Sequence, residues 1–136
     1  MTGKRIVIVE RRSFTFVLAG NGTQTTVLDR ALDVTDYKEG TLEVAVSALA
    51  WSGAATLRVT ATPVLLVGAE PQTDFLSTTG IATATLGAAG VAAGTLLVAA
   101  LPANFGSHVQ VAIVAQQPLT PVTLTCTITI IMVLKA

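Results

Sequence analysis

Val122-Thr123-Leu124-Thr125-Cys126-Thr127-Ile128-Thr129-Ile130 alternates apolar residues with threonine without a slip. Successive side chains of a β-strand point to opposite faces, so a period of two predicts a strand with one face on a core and one polar face. The run then continues as Ile130-Ile131-Met132-Val133-Leu134, apolar at every position. That is expected where a strand end is covered on its second side by another layer or another chain. Ile131 and Val133 are therefore candidate interface residues.

Working outward, Ser13 to Leu18, Thr41 to Val46, Ala55 to Ala61 and His108 to Val114 show the same alternation and are rich in β-branched residues. Ile6 to Val9 is a four-residue apolar run, too short for the core of a signal peptide, and reads as a strand. Ile81 to Leu86 and Thr95 to Leu101 are weaker strand candidates. Turn signals separate these runs at Asn21-Gly22, Glu39-Gly40, Ser52-Gly53, Pro63, Gly68, Pro71, Gly80, Pro102 to Gly106 and Pro118 to Pro121. Seven to nine short strands at this spacing predict an all-β protein, an antiparallel two-sheet β-sandwich for which a jelly roll is one fitting topology. At 136 residues the chain is expected to form a single domain, 1–136, burying roughly two thirds of its unfolded surface.

Charge is distributed unevenly. Every Asp, Glu, Lys and Arg lies between Lys4 and Asp74 except Lys135, and eight basic side chains balance eight acidic ones. No net field would draw the molecule to nucleic acid or an anionic membrane. Only 12% of residues are charged, against about 25% in an ordinary soluble domain, while 51% are hydrophobic. Gly80 to Leu101 has the length of a membrane span, but it is built from Ala, Gly and Thr and has no basic flank, so strands are the preferred reading. Gly87 to Gly94 is expected to be a loop rather than a helix, because each of its glycines costs about 1 kcal/mol relative to alanine in a helix.

Side chains that could carry chemistry are few. His108 is the lone histidine, and no Gly-x-Ser-x-Gly elbow accompanies it. Cys126 falls on the apolar face of the best strand, where a free cysteine acts as a small hydrophobe. Asp29, Asp33, Asp36, Glu39 and Glu43 cluster in sequence with Arg30 and Lys38 interleaved, which reads as a solvated loop and strand edge rather than a calcium loop. The glycine spacing matches no dinucleotide or phosphate loop. No cofactor and no metal is expected. Basic Lys4, Arg5, Arg11 and Arg12 lack the aromatic neighbours of a single-strand binder beyond Phe14 and Phe16. Trp51, in Leu49-Ala50-Trp51-Ser52-Gly53, sits at a strand-to-strand corner and serves either the core or a partner.

The block Leu32-Asp33-Val34-Thr35-Asp36-Tyr37-Lys38-Glu39-Gly40-Thr41-Leu42-Glu43-Val44, the strand Ala55 to Thr62, the segment Ala100-Leu101-Pro102-Ala103-Asn104-Phe105-Gly106 and the closing strand to Val133-Leu134-Lys135 resemble small β-sandwich virion proteins of tailed bacteriophages, of the minor head or decoration type. The resemblance covers most of the chain and carries strand and turn patterns without a catalytic signature. It implies a non-enzymatic role in coating, cementing or joining capsid or tail subunits. It also implies contacts with the major capsid protein, with other virion proteins and with further copies of the chain, and a place in the virion after assembly in the host cytoplasm. Ile131, Val133, Trp51 and Phe105 are the candidate interface residues. A carbohydrate-binding or cell-attachment sandwich using Trp51, Tyr37 and the acidic stretch is the alternative.

Overall fold

The computed structural model describes residues 3–18, 22–52, 56–67, 70–76, 82–85, 94–101, 105–117 and 121–136. Among them there is no helix, and they form nine strands: β1 (Gly3–Leu18), β2 (Gly22–Asp33), β3 (Glu39–Trp51), β4 (Thr56–Val67), β5 (Glu70–Leu76), β6 (Ala82–Thr85), β7 (Leu96–Ala100), β8 (His108–Gln117) and β9 (Val122–Lys135). They form two antiparallel sheets, a four-stranded one in the order β1-β9-β3-β7 and a five-stranded one in the order β2-β8-β4-β5, with β6 also paired to β4. The loop expected over Gly87 to Gly94, apart from Gly94 at its end, and the turn residues Asn21, Pro102 and Pro118 lie outside the described residues.

The pairing has a simple logic. β1 pairs with β9, β2 with β8, β3 with β7 and β4 with β6, so the first half of the chain meets the second half in reverse order, as one long hairpin. Folding that hairpin over adds the β9–β3 and β8–β4 pairings. This is the eight-stranded jelly roll, with β5 inserted between the two strands of its innermost pair. β5 also approaches β2. Gln110 and Ala112 of β8 and Thr62 of β4 are also buried.

The opening stretch of sequence does what its period requires. Val122, Leu124, Cys126, Ile128, Ile130, Met132 and Leu134 all point inward from β9 and are buried. Leu57, Val59 and Ala61 of β4 and Val109, Val111, Ile113 and Ala115 of β8 join them in one hydrophobic cluster, together with Leu42, Val44 and Val46 of β3. Full burial of one such large side chain is worth about 1.5–3 kcal/mol. Phe14 and Phe16 extend the cluster under β1, their rings stacked at 6.3 Å, with the Arg12 guanidinium 4.9 Å from the Phe14 centroid.

The two apolar runs expected near the start, Ile6 to Val9 and Ser13 to Leu18, are one bent strand. Register shifts between Val7 and Val9 and between Val9 and Arg12 mark bulges, and Arg11 takes a positive φ of 45° while its N–H donates to Thr129 Oγ1 at 3.0 Å. A bulge bends a strand and strengthens its twist, which lets β1 stay on β9 over its whole length. Two strands that the sequence does not announce also appear. β2 carries Gln24, Asp29 and Arg30 and its own register shifts, and β5 carries Pro71.

Gly40 marks a close approach. A Cβ there would sit 2.6 Å from Leu101 Cδ1, 2.9 Å from Leu134 Cδ2 and 3.0 Å from the Val133 carbonyl oxygen. The leucine tips can rotate away, but the β9 backbone cannot. Gly40→Val is expected to destabilise the fold by about 1–3 kcal/mol, the usual cost of overpacking, with Gly40→Ala at the low end; urea denaturation of the two variants measures the series.

Candidate functional site

Side chains on the outer face of the β1-β9-β3-β7 sheet follow from the register. Antiparallel partners project to the same side, so the outward positions form rows across the strands. One row reads Val7, Ile131, Glu43, Val98; the next reads Arg5, Val133, Thr41, Ala100; a third includes Thr129, Ala45 and Leu96. Val7 is 47% exposed, and Leu96 and Val98 are each 58% exposed, whereas Ile131 and Val133 are half-buried between their neighbours. An apolar patch thus spans all four strands, with the half-buried Glu43 inside it and Arg5, Glu39 and Lys135 at its rim. Beside Val133 the surface dips into an open depression of about 690 Å³ lined by Glu39, Thr41, Glu43, Ala100 and Lys135 among others.

The remainder of that face is different. Thr123, Thr125 and Thr127 on β9 stand beside Ser13 and Thr15 on β1 and Ala48 and Ala50 on β3. Ser13 Oγ and Thr127 Oγ1 are hydrogen-bonded at 2.8 Å. Away from the patch the face is mostly hydroxyl and alanine, with the exposed Val17 of β1 beside Thr123.

Of the four residues expected at an interface, the structure places Ile131 and Val133 together in the apolar patch. Phe105 is 2% exposed and belongs to the core cluster, so its ring is not on the surface. Trp51 ends β3 opposite Leu124, and the corner behind it is closed by Ser52 N–H donating to the Thr123 carbonyl at 3.0 Å and Thr123 N–H donating to Ser52 Oγ at 2.8 Å; the Trp51 side chain lies outside the described residues. Tyr37 is half-buried against the core. Sequence reasoning missed Val7, Leu96 and Val98. The signal was present, since Ile6 to Val9 and Leu96-Leu97-Val98 are consecutive apolar residues like Ile130 to Leu134.

At one end of the sandwich, residues of hydrolytic type do gather. Asp33 is the register partner of His108, and Ser107 Oγ shares a hydrogen bond of 2.9 Å with His108 Nδ1. Their partners show another role. Asp33 Oδ1 accepts from Thr35 N–H at 3.0 Å and from Thr35 Oγ1 at 2.6 Å, and Thr35 Oγ1 also donates to the Ser107 carbonyl at 3.4 Å. Val34 N–H donates to the same carbonyl at 2.8 Å. These bonds pin the β2–β3 connection to the entry of β8, where Gly106 takes a φ of 80° that favours glycine. The Thr35 bonds, and then the charges of His108 and Lys4, hold the Asp33 carboxyl below its ordinary range. Its contribution to stability is present above the ordinary carboxylate pKa and is lost as pH falls through the lowered one.

The acidic residues of the sequence cluster part company. Asp29 and Asp33 lie on β2 in one sheet, Glu39 and Glu43 on β3 in the other, and no group of three metal-binding side chains forms among the described residues. Cys126 is 2% exposed, and burial pushes its thiol up to about 11 although a hydrogen bond from the Phe14 backbone acts the other way. A thiol needs its thiolate to react. Ellman's reagent at pH 8 is expected to leave the folded protein unlabelled and to titrate one thiol after denaturation. Because the folded pKa is raised, the group's effect on stability appears as a loss when pH climbs from about 9 towards 11.

No family model matches the sequence, and no curated protein matches it. The chain is similar to a chain in the structure of the infectious bursal disease virus Gx strain, at 14% identity and a TM-score of 0.44, over 98% of this chain and 39% of that one. It spans well under half the length of that neighbour.

Proposed function

We propose that this chain is a non-enzymatic virion structural protein, a single jelly-roll domain that coats, cements or joins capsid or tail subunits of a tailed bacteriophage. The observation that carries the reading is the outer face of the β1-β9-β3-β7 sheet, where Val7, Leu96 and Val98 are exposed beside Ile131 and Val133. Contiguous apolar surface rimmed by polar groups marks a site of protein contact. Jelly rolls recur in viral capsid proteins, as well as in lectins and cupins, and the side chains gathered here tie loops together without presenting a nucleophile, a base and an oxyanion site in working order.

Density-gradient fractionation of particles from the protein's source, followed by mass spectrometry, tests the reading. The chain is expected in the particle band at a fixed ratio to the major capsid protein. Its confinement to the particle-free fractions would sink the proposal.

A further inference from the structure

We infer that the apolar patch around Ile131 and Val133 packs on the same patch of a second copy, through a two-fold axis parallel to β9, with Arg5 of each copy meeting Glu43 of the other. The inference rests on the reading of the protein as a packing component and names the partner of that face.

Glu43 is half-buried in a row with Val7, Ile131 and Val98, and among the described residues neither it nor Arg5 forms an ion pair. A carboxylate flanked across the strands by Ile131 and Val98 loses water when the patch is covered, and a cation brought by the cover compensates that loss. The chain carries that cation on the same face. β1 and β3 flank β9 on either side at the common inter-strand spacing of about 4.8 Å, and a two-fold axis along β9 exchanges the two flanks. Arg5 then stands over Thr41 of the partner copy, one row from Glu43, which is about 6.7 Å along the strand and within reach of an arginine side chain.

The perpendicular axis fails on charge. A two-fold axis perpendicular to the strands, through the midpoint of Ile131 and Val133, would set Arg5 over Val7 and Glu43 over Thr41, leaving both charges unpaired. Along β9, by contrast, Ile131 and Val133 meet their own copies at the centre, the contact is isologous, and each ion pair occurs twice. Lys135 meets its own copy at the strand end, where solvent screens the repulsion.

Sedimentation equilibrium of the purified chain tests this. The wild type is expected to be dimeric at micromolar concentration or to form larger species that contain the dimer. Arg5→Glu and Glu43→Arg, each placing two like-charge pairs across the axis, are expected to raise the dissociation constant on the order of a hundredfold. The double variant Arg5→Glu with Glu43→Arg restores opposite charges and is expected to recover dimerisation. Circular dichroism and thermal melts of all three variants establish that they fold, and Ile131→Lys, at the centre of the contact, serves as a second probe if one does not. A wild type that stays monomeric overturns the inference, as does association indifferent to either reversal or a double variant that fails to recover. None of these results bears on the presence of the chain in particles, so the two readings fail separately.

Discussion

Ile130→Lys is expected to yield a chain that does not fold, and Ile131→Lys, one residue further on, a chain that folds and no longer associates with itself. Ile130 is fully buried between the sheets on β9, opposite Val9 and Val44. A lysine there must either leave its charge in the core or surrender its proton, and a loss of at least about 4 kcal/mol consumes most of the stability of an ordinary domain. Ile131 faces outward between Val7 and Glu43. Its replacement can lay the aliphatic stem along the patch and hold the ammonium in water, at a cost of about 1 kcal/mol or less. Val133→Lys should behave like Ile131→Lys. Circular dichroism and sedimentation on the three variants separate the two faces; folding and association both intact in Ile131→Lys and Val133→Lys would show that this surface meets nothing.

Phe105→Ala is expected to cost about 3–5 kcal/mol, the usual penalty for emptying a buried aromatic site. The ring is 2% exposed in the common core, just before the turn at Gly106 that leads into β8. Urea denaturation should show a lower midpoint with an unchanged slope, as for a change in stability without a change in the surface exposed on unfolding. A loss below about 1 kcal/mol would mean that the site collapses on the vacancy or that the ring belongs to a partner's surface. The same substitution separates a core role from the interface role that the sequence suggested.

The charge distribution explains how much of this was legible beforehand. β8 and β9 are the central strands of their sheets, and they are drawn from the stretch without charges, Lys135 excepted. A strand with neighbours on both sides and a sheet behind it has little room for an ion, so the blank second half and the Thr alternation of β9 signal a central place directly. The edge strand β2 does not announce itself in the sequence. Its Asp29 and Arg30 lie at register shifts beside β8, where the alternation breaks and solvent, rather than packing, decides which residues are tolerated. The patch was half legible: Ile131 and Val133 stood out because they prolong a regular strand, whereas the apolar run Leu96-Leu97-Val98 is short, and the register with Ala45 and Glu43 is what shows which of its residues face outward. Phe105 could not be placed from sequence, because a lone aromatic among turn residues has no period to show which way it points.

The pairing of the chain's halves in reverse order has a consequence for how the protein comes into being. β1 and β3 share β9 as their neighbour, and β2 and β4 share β8. During synthesis, therefore, the first hundred or so residues emerge from the ribosome as strands whose central partners do not yet exist, with hydrophobic faces and free edges exposed. Long-range pairing of this kind closes slowly, on the millisecond-to-second scale, and the waiting chain is open to aggregation. Ribosome-stalled chains ending before residue 108 should accordingly remain protease-sensitive, with protection arriving only once β9 has cleared the exit tunnel.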